Sequence, residues 1–385
     1  MVNRRLLRTK AFQNLYAFRT AERADYQRFH DQIAESFLPN LDLMIPKEQQ
    51  ISKLEGFKKL AELHYEELFQ KKDTDDDIPV ESKNAAKKSL LLYRESVKRE
   101  RINITKTMVD EVENIYHVYL KMLQTLLEIK EIAVWDEQRR LVETDIRTSR
   151  LAKNKVLIAL QNLPELETES IRKNVKWTEE DQNFLRKIFL DAVLPDTEFQ
   201  SYLRKPEHTF EEDLTLVIYL CKTFILKHYL ITDYFEEKDL NWGENKDILK
   251  SMLIKTFKIS SVEDLTLQPL AMNWEDDKYY FIDLFNNVLD NEESYEKIIL
   301  DQTKNWEGDR LAMTDLLILK LGLAEMINFP SIPVKVSINE YIELAKNYST
   351  PKSGQFVNGL LDVISQKLQK ENVIRKSGRG LIDNK

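Results

Sequence analysis

Glycine and proline are scarce in this chain, 8 and 10 among 385 residues. So few turn formers argue against a sheet-rich fold. Glycine-rich phosphate loops are missing too: there is no Walker loop, no G-x-G-x-x-G and no G-x-S-x-G, which removes support for nucleotide-dependent or hydrolase chemistry. The single cysteine, Cys221, excludes an internal disulfide and fits a reducing compartment. It lies in the apolar run Leu214–Leu226, where a core thiol is the ordinary role. Lys222 interrupts that run, which is far short of the ~20 residues that cross a bilayer. The arginines near the start are not followed by the apolar stretch of a secretory signal. A cytoplasmic location is expected, with no membrane partner. The histidines, His30, His64, His117, His208 and His228, are scattered without a ligand partner at i+4. Neither a metal nor another cofactor is expected.

What is present is helix-forming. Hydrophobic residues make up 42% of the chain, enough for a sizeable core, and the length suits two or three domains. Runs rich in Leu, Lys, Glu and Gln favour helices, so the fold class is all-α. The formal charge is −8, but its distribution says more than its sum. Residues 1–19 contribute +5 and residues 365–385 contribute +4, so the 345 residues between them carry −17. The chain is an acidic body with two basic ends.

Periodicity places a first helix over 3–19, with Leu7, Ala11, Leu15 and Phe18 as its apolar stripe. Its basic first turn has the wrong sign for the helix dipole. A solvated terminus tolerates that; so does a helix meant to meet an anion. Met108, Val112, Ile115, Tyr119, Met122, Leu126 and Ile129 form the seam of a long bundle helix, widened by Tyr116, Leu123 and Leu127. Further helices are expected near 22–37, 48–70, 84–100, 136–162, 178–193 and 210–235, with breaks at Asp73–Asp77, near Pro164, and from Pro195 to Pro206. Beyond these, helices are expected at 246–257, 276–290, 293–304, 308–328, 337–348 and 351–370. Leu311–Ile327 is apolar nearly all round, broken by Asp315, Lys320 and Glu325, and should be the central buried helix. Ser337 with Glu340 has the spacing of a capping box. Thr350 followed by Pro351 suits a helix start, and that last helix should bury Val357, Leu361, Ile364 and Leu368.

Nucleic-acid binding is the chemistry these residues support best. Arg4 and Arg8 are one turn apart with Arg5 beside them, which suits phosphate contacts. The start of the last helix offers free N–H groups to an anion, with Lys352, Ser353 and Gln355 in its first turn. Phe356 could stack on an unpaired base or simply pack in the core. Asn358 could read a base or serve as a buried structural amide.

Four segments resemble the NusB family of transcription antitermination factors. Arg4-Arg5-Leu6-Leu7-Arg8-Thr9-Lys10-Ala11-Phe12-Gln13-Asn14-Leu15-Tyr16 is similar to the opening helix. Asn305-Trp306, then Asp309-Arg310 and the helix to Glu325, is similar to the central segment. Ile332-Pro333-Val334-Lys335-Val336-Ser337-Ile338-Asn339-Glu340, followed by Glu343-Leu344-Ala345-Lys346, is the most recognisable run, and Ser353–Asp362 closes the pattern. Leu7 and Asn14 stand where alanines are usual, Lys320 replaces a common arginine, and Lys352 occupies a place often acidic or polar.

The resemblance implies a helical bundle of two small subdomains, here with a large helical insertion after the first helix. The corresponding limits are 1–19 for the first helix, 20–245 for the insertion, 246–374 for the rest of the core and 375–385 for a basic flexible tail. It implies binding of boxA-type single-stranded RNA together with NusE, a ribosomal protein, within a complex acting on RNA polymerase. Carried over by position, Arg4, Arg5, Arg8, Ser353, Gln355, Phe356 and Asn358 would line the RNA surface, and Tyr16 and Asp315 the NusE face. An RNA cytosine methyltransferase bearing such a module would need a glycine-rich cofactor loop and a reactive cysteine, so no enzyme is expected. A helical protein–protein adaptor without RNA binding is the alternative, and the −17 middle region favours it as a secondary role.

Overall fold

In the computed structural model, residues 1–39, 47–72, 78–139, 145–303 and 311–384 are described, and all their regular structure is helical. The chain opens with α1 (Arg4–Gln32), α2 (Lys47–Phe69) and α3 (Val80–Arg139). It continues through α4 (Lys155–Gln161), α5 (Pro164–Arg172), α6 (Glu179–Ile188), α7 (Thr197–Arg204), α8 (Phe210–Leu220), α9 (Tyr229–Lys238) and α10 (Trp242–Thr256). The last five are α11 (Trp274–Asp290), α12 (Glu292–Thr303), α13 (Met313–Asn328), α14 (Val334–Tyr348) and α15 (Ser353–Lys370). These elements fall into two compact units. One holds residues 1–3 and 109–277, the other 4–108 and 278–385.

In the first unit the seam read from the sequence is buried from Val112 through Ile129. Asn154 caps α4, accepting from the N–H groups of Val156 and Leu157. Its amide nitrogen donates to the Tyr202 hydroxyl and the Asp213 carbonyl, so the cap also ties α4 to α7 and α8. Helices α6 and α8 each end in a π turn, Phe189–Val193 and Cys221–Ile225. The second turn buries Cys221, and burial pushes its thiol pKa up, as for an inert core thiol. No single helix among the described residues is long and apolar enough to cross a membrane; the bent pair Phe210–Ile225 and Tyr229–Lys238 meets that test only jointly.

The second unit is organised by α13, which packs against α1, α12, α14 and α15. Residues 317–326 of α13 are all buried, including Lys320 and Glu325. Helix α15 buries Val357, Leu361, Ile364 and Leu368 as its period demands, together with Leu360. Each such side chain contributes about 1.5–3 kcal/mol. The far half of α1 joins α2 and the start of α3 around Phe29, Ile33, Ala61, Tyr65, Ala86 and Tyr93.

Several boundaries differ from the sequence reading, each for a local reason. Helix α1 runs past residue 19 to Gln32, because no glycine or proline interrupts 20–32. The expected helices at 84–100 and 108–129 fuse into α3. The helix expected over 136–162 is divided: α3 ends at Arg139, and a 3-10 turn at Thr148–Lys153 precedes α4. The one expected over 210–235 breaks at the π turn before α9. Ser337 is not a cap: α14 starts at Val334 behind Pro333, and the Ser337 hydroxyl turns inward. Thr350 is not the cap of α15 either. Lys352 holds that position without a side-chain bond, and the Thr350 hydroxyl meets that of Ser353 at 2.8 Å. Residues 378–384, expected within a tail, form a 3-10 helix, and the N–H of Ser377 bonds the Pro330 carbonyl at 3.0 Å. Asp73–Asp77, Asn305-Trp306 and Asp309-Arg310 lie outside the described residues.

Candidate nucleic-acid interface

Helix α1 lies along α14 in a fixed register. Arg5 meets Glu340 and Gln13 meets Tyr348, both pairs separated by 335 residues, so the two helices run parallel over two turns. Phe12 completes the seam with its ring 5.2 Å from that of Tyr348. Helix α15 folds back on α14: Gly354 faces Lys346 and Ile342, and Leu361 lies near Tyr341.

The three N-terminal arginines have different surroundings. Arg8 is buried and holds Glu325 with one edge of its guanidinium, Nε to Oε2 at 2.7 Å and Nη2 to Oε1 at 3.0 Å. The same carboxylate accepts from the hydroxyls of Ser337, Tyr280 and Tyr341. Burial alone would raise the Glu325 pKa, but Arg8 and the hydroxyl donors hold it below the usual carboxylate value. Burial and the neighbouring carboxylate push the Tyr280 and Tyr341 hydroxyls well above the ordinary tyrosine value, so they stay protonated donors. Arg5 stays exposed and clasps Glu340 at 3.0 and 2.8 Å. Hydrogen bonding to Glu340, then its charge, raises the Arg5 pKa. Arg4 lays its guanidinium over the Tyr280 ring, 4.7 Å from the centroid.

At the start of α15, Ser353 is buried; its hydroxyl donates to Asp315 Oδ2 at 2.9 Å and lies 3.0 Å from the Ser349 hydroxyl. Asp315 is itself buried. A residue expected at the RNA and one expected at the protein partner are therefore bonded to each other. Gln355 and Asn358 are exposed and Phe356 is half-buried; Asn358 is thus not a buried structural amide. Tyr16 is exposed, its ring 6.4 Å from that of Phe12. Arg8 and Ser353 anchor to opposite ends of α13, at Glu325 and Asp315, about 15 Å apart at 1.5 Å per residue. The candidate groups form two patches on one helical frame rather than a single cluster.

The sequence reading missed Glu325 as the hub of this frame, along with Tyr280 and Tyr341. A lone glutamate inside an otherwise apolar helix was the available signal, since a buried carboxylate requires a cation and donors around it. Lys320 obeys the same rule, bonding Glu292 at 2.8 Å and Glu296 at 2.7 Å. No group of three or more histidine, cysteine, aspartate or glutamate side chains among the described residues could hold a metal ion.

The sequence profile of the NusB family matches residues 246–366. The chain is similar to the transcription antitermination protein NusB of Chloroherpeton thalassium, 42% identical over 106 residues, which cover 28% of this chain and 50% of the relative. It is similar to the NusB of Salinibacter ruber, 43% over 99 residues, 26% of this chain and 62% of the relative. The NusB of Bacillus licheniformis is 40% identical over 111 residues, 29% of this chain and 86% of the relative. The chain thus spans about half the length of the first relative and under two thirds of the second. No solved structure matches significantly. With four fifths of a relative's length covered at this identity, the chain belongs to the NusB family.

Proposed function

We propose that this protein is an RNA-binding transcription antitermination factor of the NusB type, taking boxA-type single-stranded RNA together with NusE in a complex that acts on RNA polymerase in the cytoplasm. The observation that carries this reading is the frame joining the basic start of α1 to the start of α15 through α14. The seam from Glu340 to Tyr348 spans about 12 Å, a reach suited to an extended strand rather than to one phosphate. In this reading Arg4 and Arg5 contact phosphates, and Gln355, Phe356 and Asn358 meet bases. Arg8 and Ser353 act from beneath, holding α1 on α13 and the start of α15 on Asp315. Tyr16 and Asp315 belong to the NusE side. The core comprises 1–19 and 246–374, and no catalytic role is assigned.

The test leaves Arg8 untouched, because its loss would unseat α1. Fluorescence anisotropy should show wild-type protein binding a boxA-type RNA more tightly than a scrambled strand, with affinity falling steeply in salt. Arg4→Gln/Arg5→Gln should weaken binding and shallow that salt dependence. Equal binding by both proteins would refute this surface.

A further inference from the structure

A row of exposed cations placed to meet a polyanion lies on α3. Residues 80–108 carry eight basic and three acidic side chains, inside a protein whose formal charge is −8. Lys87, Lys88, Arg94, Lys98, Arg99 and Lys106 are all exposed. At 3.6 residues per turn they share one arc of the helix roughly 140° wide, and from Lys87 to Lys106 it runs about 29 Å. Glu95 is the only acid within that stretch of the arc. None of the six is ion-paired among the described residues, whereas Arg5 and Arg8 are already matched by Glu340 and Glu325. Leu91 and Ile102, 58% and 61% exposed, stand among them on the same arc.

Beside this face opens a cleft of about 370 Å³, where Arg94 and Lys98 border an apolar floor of Phe18, Tyr93, Val97 and Leu289. Its two acids, Glu22 and Glu292, are both taken by Arg19. We propose that this face of α3 is a second RNA-binding surface, holding the phosphates of single-stranded RNA that flanks the element bound at the core. The proposal rests on the RNA-binding reading only for the class of ligand. A long row of unmatched cations fits a polymer of regular charge, and the cleft can receive an unstacked base. Two isolated apolar side chains are too few for a lipid surface, which calls for a continuous apolar face.

The test compares a short RNA carrying only the boxA-type element with the same RNA extended by a flanking single strand. Wild-type protein should bind the extended RNA more tightly. Lys87→Gln/Arg94→Gln/Lys98→Gln/Lys106→Gln should lose about ten-fold on the extended RNA, with its salt slope shallower by about 3, from roughly 0.7 per phosphate contact. Binding of the short RNA should be unchanged, and circular dichroism should show the variant folded. Extended-RNA binding that depends on this face, without recognition of the short RNA, would uphold the face and refute the boxA reading. Equal binding of the extended RNA by variant and wild type would overturn the proposal. So would a variant that keeps that binding but loses affinity for a polyglutamate peptide, which would identify an acidic protein as the occupant.

Discussion

Arg8 and Glu325 are 317 residues apart in sequence and joined by two hydrogen bonds of 2.7 and 3.0 Å in a site closed to solvent. An arginine that looks from the sequence like a phosphate ligand is spent on the fold. Its loss would leave Glu325, among the described residues, to the hydroxyls of Ser337, Tyr280 and Tyr341. Breaking such a buried pair costs about 3–5 kcal/mol. Arg8→Ala and Glu325→Leu should each lower unfolding stability in urea by an amount in that range. The double variant Arg8→Met/Glu325→Leu should recover much of it, since no uncompensated charge is then buried. Additive losses would refute the pairing.

The same carboxylate gives a signed pH dependence. Its folded-state pKa lies below the ordinary value, about 4.3 for an unperturbed glutamate. The stabilisation is therefore present above that unfolded value and is lost as pH falls through the lower folded one. Glu325→Gln should lower stability at neutral pH and flatten its decline in that acid window. Urea titrations from neutral to acid pH measure both, and parallel curves for the two proteins would contradict the assignment.

Glu340 competes with any phosphate for Arg5. Glu340→Gln should tighten RNA binding by up to about five-fold at low salt, given the ~1 kcal/mol ceiling of an exposed pair. Anisotropy titration decides this. Weaker binding would mean that the pair presents Arg5 to RNA rather than withholding it.

Gly380 approaches the Pro330 carbonyl so closely that an added Cβ would lie 2.0 Å from its oxygen. Backbone, not a yielding side chain, stands in the way. Gly380→Ala should displace this segment and cost about 1–3 kcal/mol, read as faster proteolysis after Lys376 and Arg379 together with a lower melting temperature. Unchanged proteolysis would show that the segment does not need this contact.

Periodicity was a sound guide where burial decides structure. The seam of α3, the all-apolar run of α13 and the stripe of α15 were legible because each repeats over several turns. Helix ends were less so. Ser337 and Glu340 have the spacing of a cap, yet each serves a partner far away in sequence, Glu325 for one and Arg5 for the other. A hydroxyl that can cap locally or bond a buried carboxylate looks the same in one dimension. The break at Cys221–Ile225 carries no glycine or proline to announce it. Of the candidate RNA groups, exposure separates Arg5, Gln355 and Asn358 from the buried Arg8 and Ser353, a distinction no local pattern encodes.

In the proposed function the start of α1 and the start of α15 serve one RNA. Photo-crosslinking with 4-thiouridine placed along a boxA-type strand, followed by peptide mapping, tests it most directly. Adducts are expected in both residues 4–16 and residues 353–358 from a single strand, reduced together by Arg4→Gln/Arg5→Gln. Adducts confined to one of these segments, or insensitive to that substitution, would contradict it.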